Sequence, residues 1–230
     1  MASDDPAGPE QAARSARVFL RPIANPLALG FLGLAGATLT LGALQLGWIP
    51  ADQRSQVALI VLVVGPLPMI IASVFGFLGR DDVAATGMGW MAATWLAYGL
   101  IEVSSAPGST STALGAFLIV AGTGCLLNAA GSGPAKGVAS AVLALAGVRF
   151  LASGVYELSS SGGWKHVAGW VGVVLCPAAL YAALALAMED LRHGAVLPTF
   201  RSGGASDMFS EPLTRQVRDV AQEAGVRRQL

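Results

Sequence analysis

The sequence predicts an all-α integral membrane protein with six transmembrane helices and both termini in the cytoplasm. The chain has 230 residues, of which 54% are hydrophobic and only 12% are charged, whereas a soluble domain carries about 25% charged residues. Its mean hydropathy is +0.62. The apolar residues are gathered into long runs, which a water-soluble protein of this length could not cover with polar groups. Lipid is therefore expected to cover much of the surface.

Six apolar runs follow one another along the chain, and each is expected to form a helix. Crossing about 30 Å of hydrocarbon takes about 20 residues at a rise of about 1.5 Å each. Five runs reach that length, and the fourth is slightly shorter. Because lipid offers the backbone no hydrogen-bond partners, the runs must be helical. They cover residues 27–48, 57–78, 83–103, 113–130, 138–158 and 167–188.

Polar segments divide the chain into three parts. Residues 1–24 form a polar N-terminal tail, residues 25–190 form the six-helix transmembrane domain, and residues 191–230 form a C-terminal tail. Ser210 as an N-cap and apolar residues at helical spacing predict a short amphipathic helix over residues 210–224.

The basic residues near the helix ends predict the orientation. Cytoplasmic segments carry the excess of Lys and Arg, and the side that holds both termini has seven such residues against two. The first apolar run is longer than the 7–15 residues of a signal-peptide core, so it is expected to remain as the first helix. The seven are Arg14, Arg17, Arg21, Arg80, Lys136, Arg192 and Arg201, and the two are Arg54 and Lys165.

Composition and motifs argue against several functional classes. The formal net charge is zero, so nucleic acid is not an expected partner. We find no zinc-protease, nucleophile-elbow, P-loop or CxxC pattern. Cys125 and Cys176 lie inside apolar runs, as small buried residues commonly do. An enzyme, a cofactor and a metal site are therefore not expected.

One charged residue lies deep inside an apolar run. Arg149 is eleven residues into the fifth helix, about 16 Å from its start and near the membrane midplane. An arginine there costs ~2.5–3.5 kcal/mol on insertion scales, so it should face protein or water. Ser153 and Tyr156 share its helical face. Arg149 is either a cation that draws a carboxylate into a path, with Tyr156 alongside, or a structural partner between helices or subunits.

Three ionisable residues fall at the outer ends of helices. Glu102, Glu157 and His166 end or begin the third, fifth and sixth runs. If they converge, they form an outer vestibule whose charge depends on pH, because histidine titrates near neutrality. The alternative is that each simply meets water.

Three stretches carry a more specific signal. They are Ala24-Asn25-Pro26-Leu27-Ala28-Leu29-Gly30, His166-Val167-Ala168-Gly169-Trp170-Val171-Gly172, and Val196-Leu197-Pro198. In this order and spacing they resemble the acetate uptake transporter family, over about residues 24 to 200. The resemblance implies six-helix protomers assembled as hexamers, each with its own narrow path for small monocarboxylates.

The resemblance also implies roles for individual residues. Asn25 matches the family's entrance asparagine, which is linked to substrate passage. Its amide could equally be a plain N-cap, although a helix N-terminus also favours anions. Leu34, Met91 and Ala146 match the family's hydrophobic constriction, with smaller or more flexible side chains than the usual Phe, Tyr and Leu. Other family positions differ, including Gly76 and Leu186 where glutamates are usual.

Together these features lead to a functional expectation. We expect a transporter or channel for small organic anions, such as acetate or another short-chain monocarboxylate, in a bacterial cytoplasmic membrane. Both proton coupling and downhill flow stay open. The expected partners are the lipid bilayer, the monocarboxylate and further copies of the chain. The alternative is a non-transporting scaffold or sensor that retains the transporter fold.

Overall fold

A computed structural model describes residues 24–79, 81–192 and 196–200. Within these residues there is no strand, and seven α-helices account for most of the chain. The C-terminal helix expected over 210–224 lies outside the described residues. The helices are α1 Leu27–Gln45, α2 Arg54–Val64, α3 Pro66–Leu78, α4 Gly89–Ser104, α5 Thr112–Ser132, α6 Gly137–Ser159 and α7 Gly162–Arg192.

Three short helical turns extend these helices. A 3-10 turn at Ala51–Gln53 leads into α2, a π-helical turn at Val83–Met88 leads into α4, and a 3-10 turn at Gly133–Lys136 leads into α6. Each of the six predicted runs therefore coincides with a helix or a pair of consecutive helices. The first helix ends at Gln45 and not near residue 48, because Gly47 takes a left-handed φ of 77° that stops a helix.

Five stretches of the described chain are long and apolar enough to cross a membrane. They are α1, the combined stretch Ala51–Leu78, α5, α6 and the part of α7 up to Glu189. The π-helical turn and the 16 residues of α4 together make a sixth apolar helix. The described part thus contains five to six apolar helices, all consistent with a multi-pass membrane protein.

The second apolar run is one helix broken by proline. Pro66 begins α3 and cannot donate a backbone hydrogen bond, so α2 ends at Val64. The preceding Gly65 lets the neighbouring helix approach, because a Cβ at this position would lie 3.2 Å from the Cβ of Trp95. Ser73 on α3 donates its hydroxyl to the Ala85 carbonyl at 2.6 Å, which joins α3 to the π-helical turn.

The helices close into a ring in chain order. In the described part, α1 packs on the α2–α3 pair, which packs on α4 and its π-helical turn. The ring continues through α5 and α6 to α7, and α7 packs back against α1. The α5 and α6 helices pack closely, because reciprocal glycines let their backbones meet: a Cβ at Gly122 would lie 2.7 Å from the Gly147 carbonyl oxygen.

The outer surface of the ring is apolar, while several polar side chains are buried inside it. An exposed apolar surface of this extent indicates that lipid surrounds the ring. The exposed side chains include Leu32, Ile60, Phe75, Leu100, Val120, Leu127, Val148, Trp170, Val174 and Leu184. The buried polar side chains include Thr38, Gln45, Arg54, Thr94, Glu102, Arg149, Ser153 and Glu157.

The segment after α7 returns to the ring. The backbone N–H of Val138 donates to the Thr199 carbonyl at 3.1 Å, and the Tyr181 hydroxyl donates to the Pro198 carbonyl at 2.9 Å. Residues 196–200, which include the Val-Leu-Pro stretch, are therefore held against α6 and α7.

Candidate functional site

A cavity of about 40 Å³ lies at the end of the ring where α1, α4 and α6 terminate. We call this cavity the vestibule. Apolar atoms of α1 form part of its wall, and the rest is polar. Its polar lining comes from Gln45, Arg54, Tyr98, Glu102, Tyr156, Glu157 and Lys165.

Arg54 is the main cross-link of the vestibule. Its Nε donates to Oε2 of Glu102 at 2.6 Å and its Nη2 to Oε1 at 2.8 Å, which is a bidentate ion pair. Its Nη1 and Nη2 also donate to the carbonyls of Ala106 and Ser109, at 2.6 and 3.0 Å. Arg54 thereby joins the start of α2 to the end of α4 and to the loop that follows it.

Glu157 fixes the other end of the same loop. Its Oε2 accepts the backbone N–H of Ser111 at 2.7 Å, and Ser111 itself is the N-cap of α5, accepting from the Leu114 N–H at 3.3 Å. The Thr110 and Ser160 hydroxyls are hydrogen-bonded at 2.8 Å. One arginine and two buried carboxylates thus hold the loop at residues 105–111 over the vestibule.

The structure brings two of the three predicted vestibule residues together. Glu102 and Glu157 both line the cavity, but His166 does not. His166 is exposed, and its Nδ1 is hydrogen-bonded to the Gly162 carbonyl at 2.7 Å. Because successive residues on a helix point in different directions, the neighbouring Lys165 lines the cavity while His166 turns away from it.

Arg149 lies deep inside the ring and is only 1% exposed. Its Nη1 donates to the Ala168 carbonyl at 3.3 Å, and its Cζ is 5.5 Å from the centroid of the Trp95 ring. The guanidinium also touches the Gly172 backbone, where an added Cβ would lie 2.6 Å from Nη1 and 3.0 Å from the Thr38 carbonyl oxygen. Nε and Nη2 of Arg149 have no hydrogen-bond partner within the described part of the chain.

Trp95 connects the vestibule to Arg149. Its ring makes edge contacts with the rings of Tyr98, at 6.2 Å, and Phe150, at 5.4 Å. The indole N–H of Trp95 and the hydroxyl of Thr38 are buried and have no partner among the described residues. A row of buried polar groups therefore runs from Tyr98 in the vestibule inward.

The depth of this polar layer follows from helix register. Arg149 is eight residues from Glu157 and Trp95 seven from Glu102, so both lie about 10–12 Å along their helices from the vestibule. Thr38 is at a similar distance from Gln45. Three helices thus present a polar group at one level, which we call the polar layer: Thr38, Trp95 and Arg149.

The predicted constriction lies one turn beyond the polar layer. Leu34, Met91 and Ala146 are each fully buried and belong to the same apolar core. They precede Thr38, Trp95 and Arg149 by three or four residues on the same three helices, which places them about 5 Å further from the vestibule. We call these three residues the apolar layer.

The remaining predicted residues lie at opposite ends of the ring. Asn25 accepts the backbone N–H of Leu27 through its Oδ1 at 3.0 Å, so it caps the start of α1. Tyr156 is half-buried and lines the vestibule, seven residues along α6 from Arg149. Ser153 lies between them and is buried.

A larger open cavity of about 400 Å³ lies at the end opposite the vestibule. Its lining includes Thr86 and Asn128, whose side chains are hydrogen-bonded at 2.7 Å, and Lys136, which forms an ion pair with Asp81. No group of three or more His, Cys, Asp or Glu side chains that could hold a metal ion occurs among the residues described.

Sequence reasoning missed several residues of the site. In the sequence Arg54 and Lys165 are only loop charges, and three uncharged residues, Thr38, Gln45 and Trp95, lie inside apolar runs. The signal that could have found two of them is periodicity: Thr38 lies four residues after Leu34 and Gln45 seven residues after Thr38, which places all three on one face of α1.

A ring of helices with an apolar exterior and buried polar side chains inside it defines a multi-pass membrane protein of the transporter and channel class. The chain belongs to the GPR1/FUN34/yaaH family, whose family model matches residues 8–201. This match confirms the family expected from the Asn25-Pro26 and Ala168-Gly169-Trp170 stretches.

Among solved structures, the bacterial acetate channel SatP is similar in fold. The TM-score is 0.67 at 21% sequence identity, and the match covers 77% of this chain and 99% of that chain. No curated protein matches the chain.

Proposed function

We propose that the protein carries small monocarboxylates such as acetate across a bacterial cell membrane, through a path along the axis of each helix ring. Membership of the family and the likeness to an acetate channel support this function. The observation that carries it is the series of polar groups buried inside the ring, from Glu102 and Arg54 to Arg149, behind an exterior that only lipid could cover.

The layers inside the ring suit a small solute. The vestibule of about 40 Å³ has room for only a few water molecules in this state, so passage requires the loop held by Arg54 and Glu157 to move. Beyond it, Leu34, Met91 and Ala146 offer no hydrogen bonds. A large or strongly hydrated solute is therefore rejected, whereas a short-chain acid has an alkyl group that suits the apolar layer.

We also propose how the helix ring is oriented in the membrane. With six spans and both termini in the cytoplasm, the vestibule opens outward and the cavity beside Lys136 opens to the cytoplasm. The leucine-rich exterior is available to lipid and to further copies of the chain, and a hexamer is expected from the family resemblance. A scaffold without transport is less favoured. Burying Arg149 and two carboxylates inside the ring is costly, and such residues usually mark a substrate path.

Flux measurements on purified protein in liposomes test this function. Initial uptake of labelled acetate, propionate and succinate is measured at neutral pH, where little undissociated acid crosses the lipid unaided. We expect protein-dependent uptake of acetate and propionate that exceeds uptake of succinate. Imposing a proton gradient separates proton coupling from downhill flow. Uptake equal to that of protein-free liposomes for all three acids would contradict the proposal.

A further inference from the structure

The strongest unexplained feature of the molecule is the polar layer. Arg149, Trp95 and Thr38 are each at most 1% exposed, yet each has polar atoms without a partner among the described residues. We propose that the polar layer is a binding site for the carboxylate of a single monocarboxylate anion, held by the free edge of Arg149. This inference rests on the proposed function and specifies how the substrate is held.

The free edge of Arg149 has the geometry that a carboxylate requires. A guanidinium has five N–H donors in a fixed plane, and among the residues that the structure describes only the Ala168 carbonyl accepts from it, at Nη1. Nε and Nη2 lie side by side along one edge. Two parallel N–H groups along such an edge match the two oxygens of a carboxylate and form a bidentate pair.

The charge of Arg149 points to an anion. Arginine is not deprotonated in proteins, and a buried charge is normally paired. The nearby carboxylates are committed elsewhere, because Glu102 pairs with Arg54 and Glu157 bonds to the Ser111 N–H. Among the described residues no carboxylate forms an ion pair with Arg149, so a bound anion would supply the missing counter-charge.

The neighbouring unpaired groups also favour a ligand that only accepts hydrogen bonds. The indole N–H of Trp95 is an obligate donor, and the Thr38 hydroxyl can donate. Together with Nε and Nη2 of Arg149, they are four buried donor groups at one level of the ring. Of these groups only the Thr38 hydroxyl could accept an N–H from an amide or amine ligand, whereas an ionised carboxylate can accept from all four.

The apolar layer explains why one carboxylate is favoured over two. Leu34, Met91 and Ala146 follow the polar layer at about one helical turn. With its carboxylate on Arg149, a short acid would place its alkyl group against these side chains. A dicarboxylate would place its second charge there without a partner, which is unfavourable.

Calorimetric titration of the purified protein in detergent tests the site. The ligands are acetate, its neutral isostere acetamide, succinate and chloride. The variants are Arg149→Met, Arg149→Lys and a matched control, Arg192→Met, which removes an exposed arginine at the end of α7. Circular dichroism and gel filtration establish that each variant is folded, and Arg149→Lys retains the charge if Arg149→Met does not fold.

We expect the native protein and the Arg192→Met control to bind acetate with equal affinity and to bind acetamide and succinate weakly. Arg149→Met should weaken acetate binding by at least about 10-fold, since a charge-assisted bidentate pair is lost. Arg149→Lys should lose the preference for acetate over chloride, because an ammonium lacks the paired N–H groups.

Two results would overturn the inference. One is acetate affinity unchanged in Arg149→Met, and the other is binding of acetamide or chloride by the native protein as tight as that of acetate. If acetate flux persists in either case, the proposed function survives without this site. Binding of acetate that depends on Arg149, with no flux in liposomes, would instead support the site and contradict the transport function.

Discussion

Replacing Arg54 with methionine should destabilise the protein strongly. The change removes a side chain that makes two hydrogen bonds to Glu102 and two to loop carbonyls, and it leaves Glu102, 4% exposed, without its cation. Removing one partner of a buried ion pair costs about 3–5 kcal/mol. At about 2–4 °C per kcal/mol for a protein of this size, the melting temperature should fall by roughly 6–20 °C.

A double-mutant cycle in detergent separates the energy of the Arg54–Glu102 ion pair from the energy lost with side-chain packing. Thermal unfolding is followed for Arg54→Met, Glu102→Met and the double variant. Because the double variant buries no unpaired charge, it should be more stable than the sum of the two single effects implies, by at least about 1 kcal/mol. Additive effects, or an Arg54→Met variant that melts with the native protein, would show that the ion pair does not hold the loop over the vestibule.

Two further pairs of variants have expected outcomes of their own. Gly76→Ala would place a Cβ 2.5 Å from the Ala85 backbone nitrogen. We therefore expect the free energy of unfolding to fall by about 1–3 kcal/mol, as measured by thermal unfolding. The matched control Gly131→Ala has open space around its Cβ and should be neutral or stabilising. Equal effects would contradict the close approach of α3 to the π-helical turn. Asn25→Ala should cost about 0.5–2 kcal/mol through loss of the cap on Leu27, whereas Asn25→Asp, which keeps the acceptor, should retain stability. Flux lost in Asn25→Asp despite full stability would favour an entrance role over a plain cap.

The positions of the helices could be predicted because hydrocarbon imposes a length and forbids unpaired backbone groups. Each apolar run became a helix, and the differences lie where local chemistry intervenes. Gly47 ends the first helix early, and Pro66 divides the second run into two helices. The π-helical turn at Val83–Met88 carries no recognisable sequence signal, and its contact with Ser73, through the Ala85 carbonyl, joins residues 12 positions apart.

The candidate site could be predicted only where a residue was anomalous in its own segment. Arg149 can be recognised in the sequence because a charge near the centre of an apolar run is costly unless it faces protein or water. The ion pair of Arg54 with Glu102 joins residues 48 positions apart, and nothing in the sequence couples them. Likewise, Trp95 resembles any other aromatic residue of a membrane helix until its ring is found beside Arg149.

A transport path along the axis of the ring requires that water and small anions reach the inside of the ring. Single cysteines are introduced on α6 at Ser153, which is buried on the face of Arg149, and at Val148, which is exposed on the outer surface, in a chain whose Cys125 and Cys176 are replaced by alanine. A small charged thiosulfonate reacts with the thiolate, which forms only where water reaches.

We expect modification of the cysteine at 153, slowed by acetate and accompanied by loss of acetate uptake. The cysteine at 148, on the apolar outer surface, should stay unmodified with uptake intact. The reverse pattern, with 153 inert and 148 modified while the protein still transports acetate, would contradict a path through the ring.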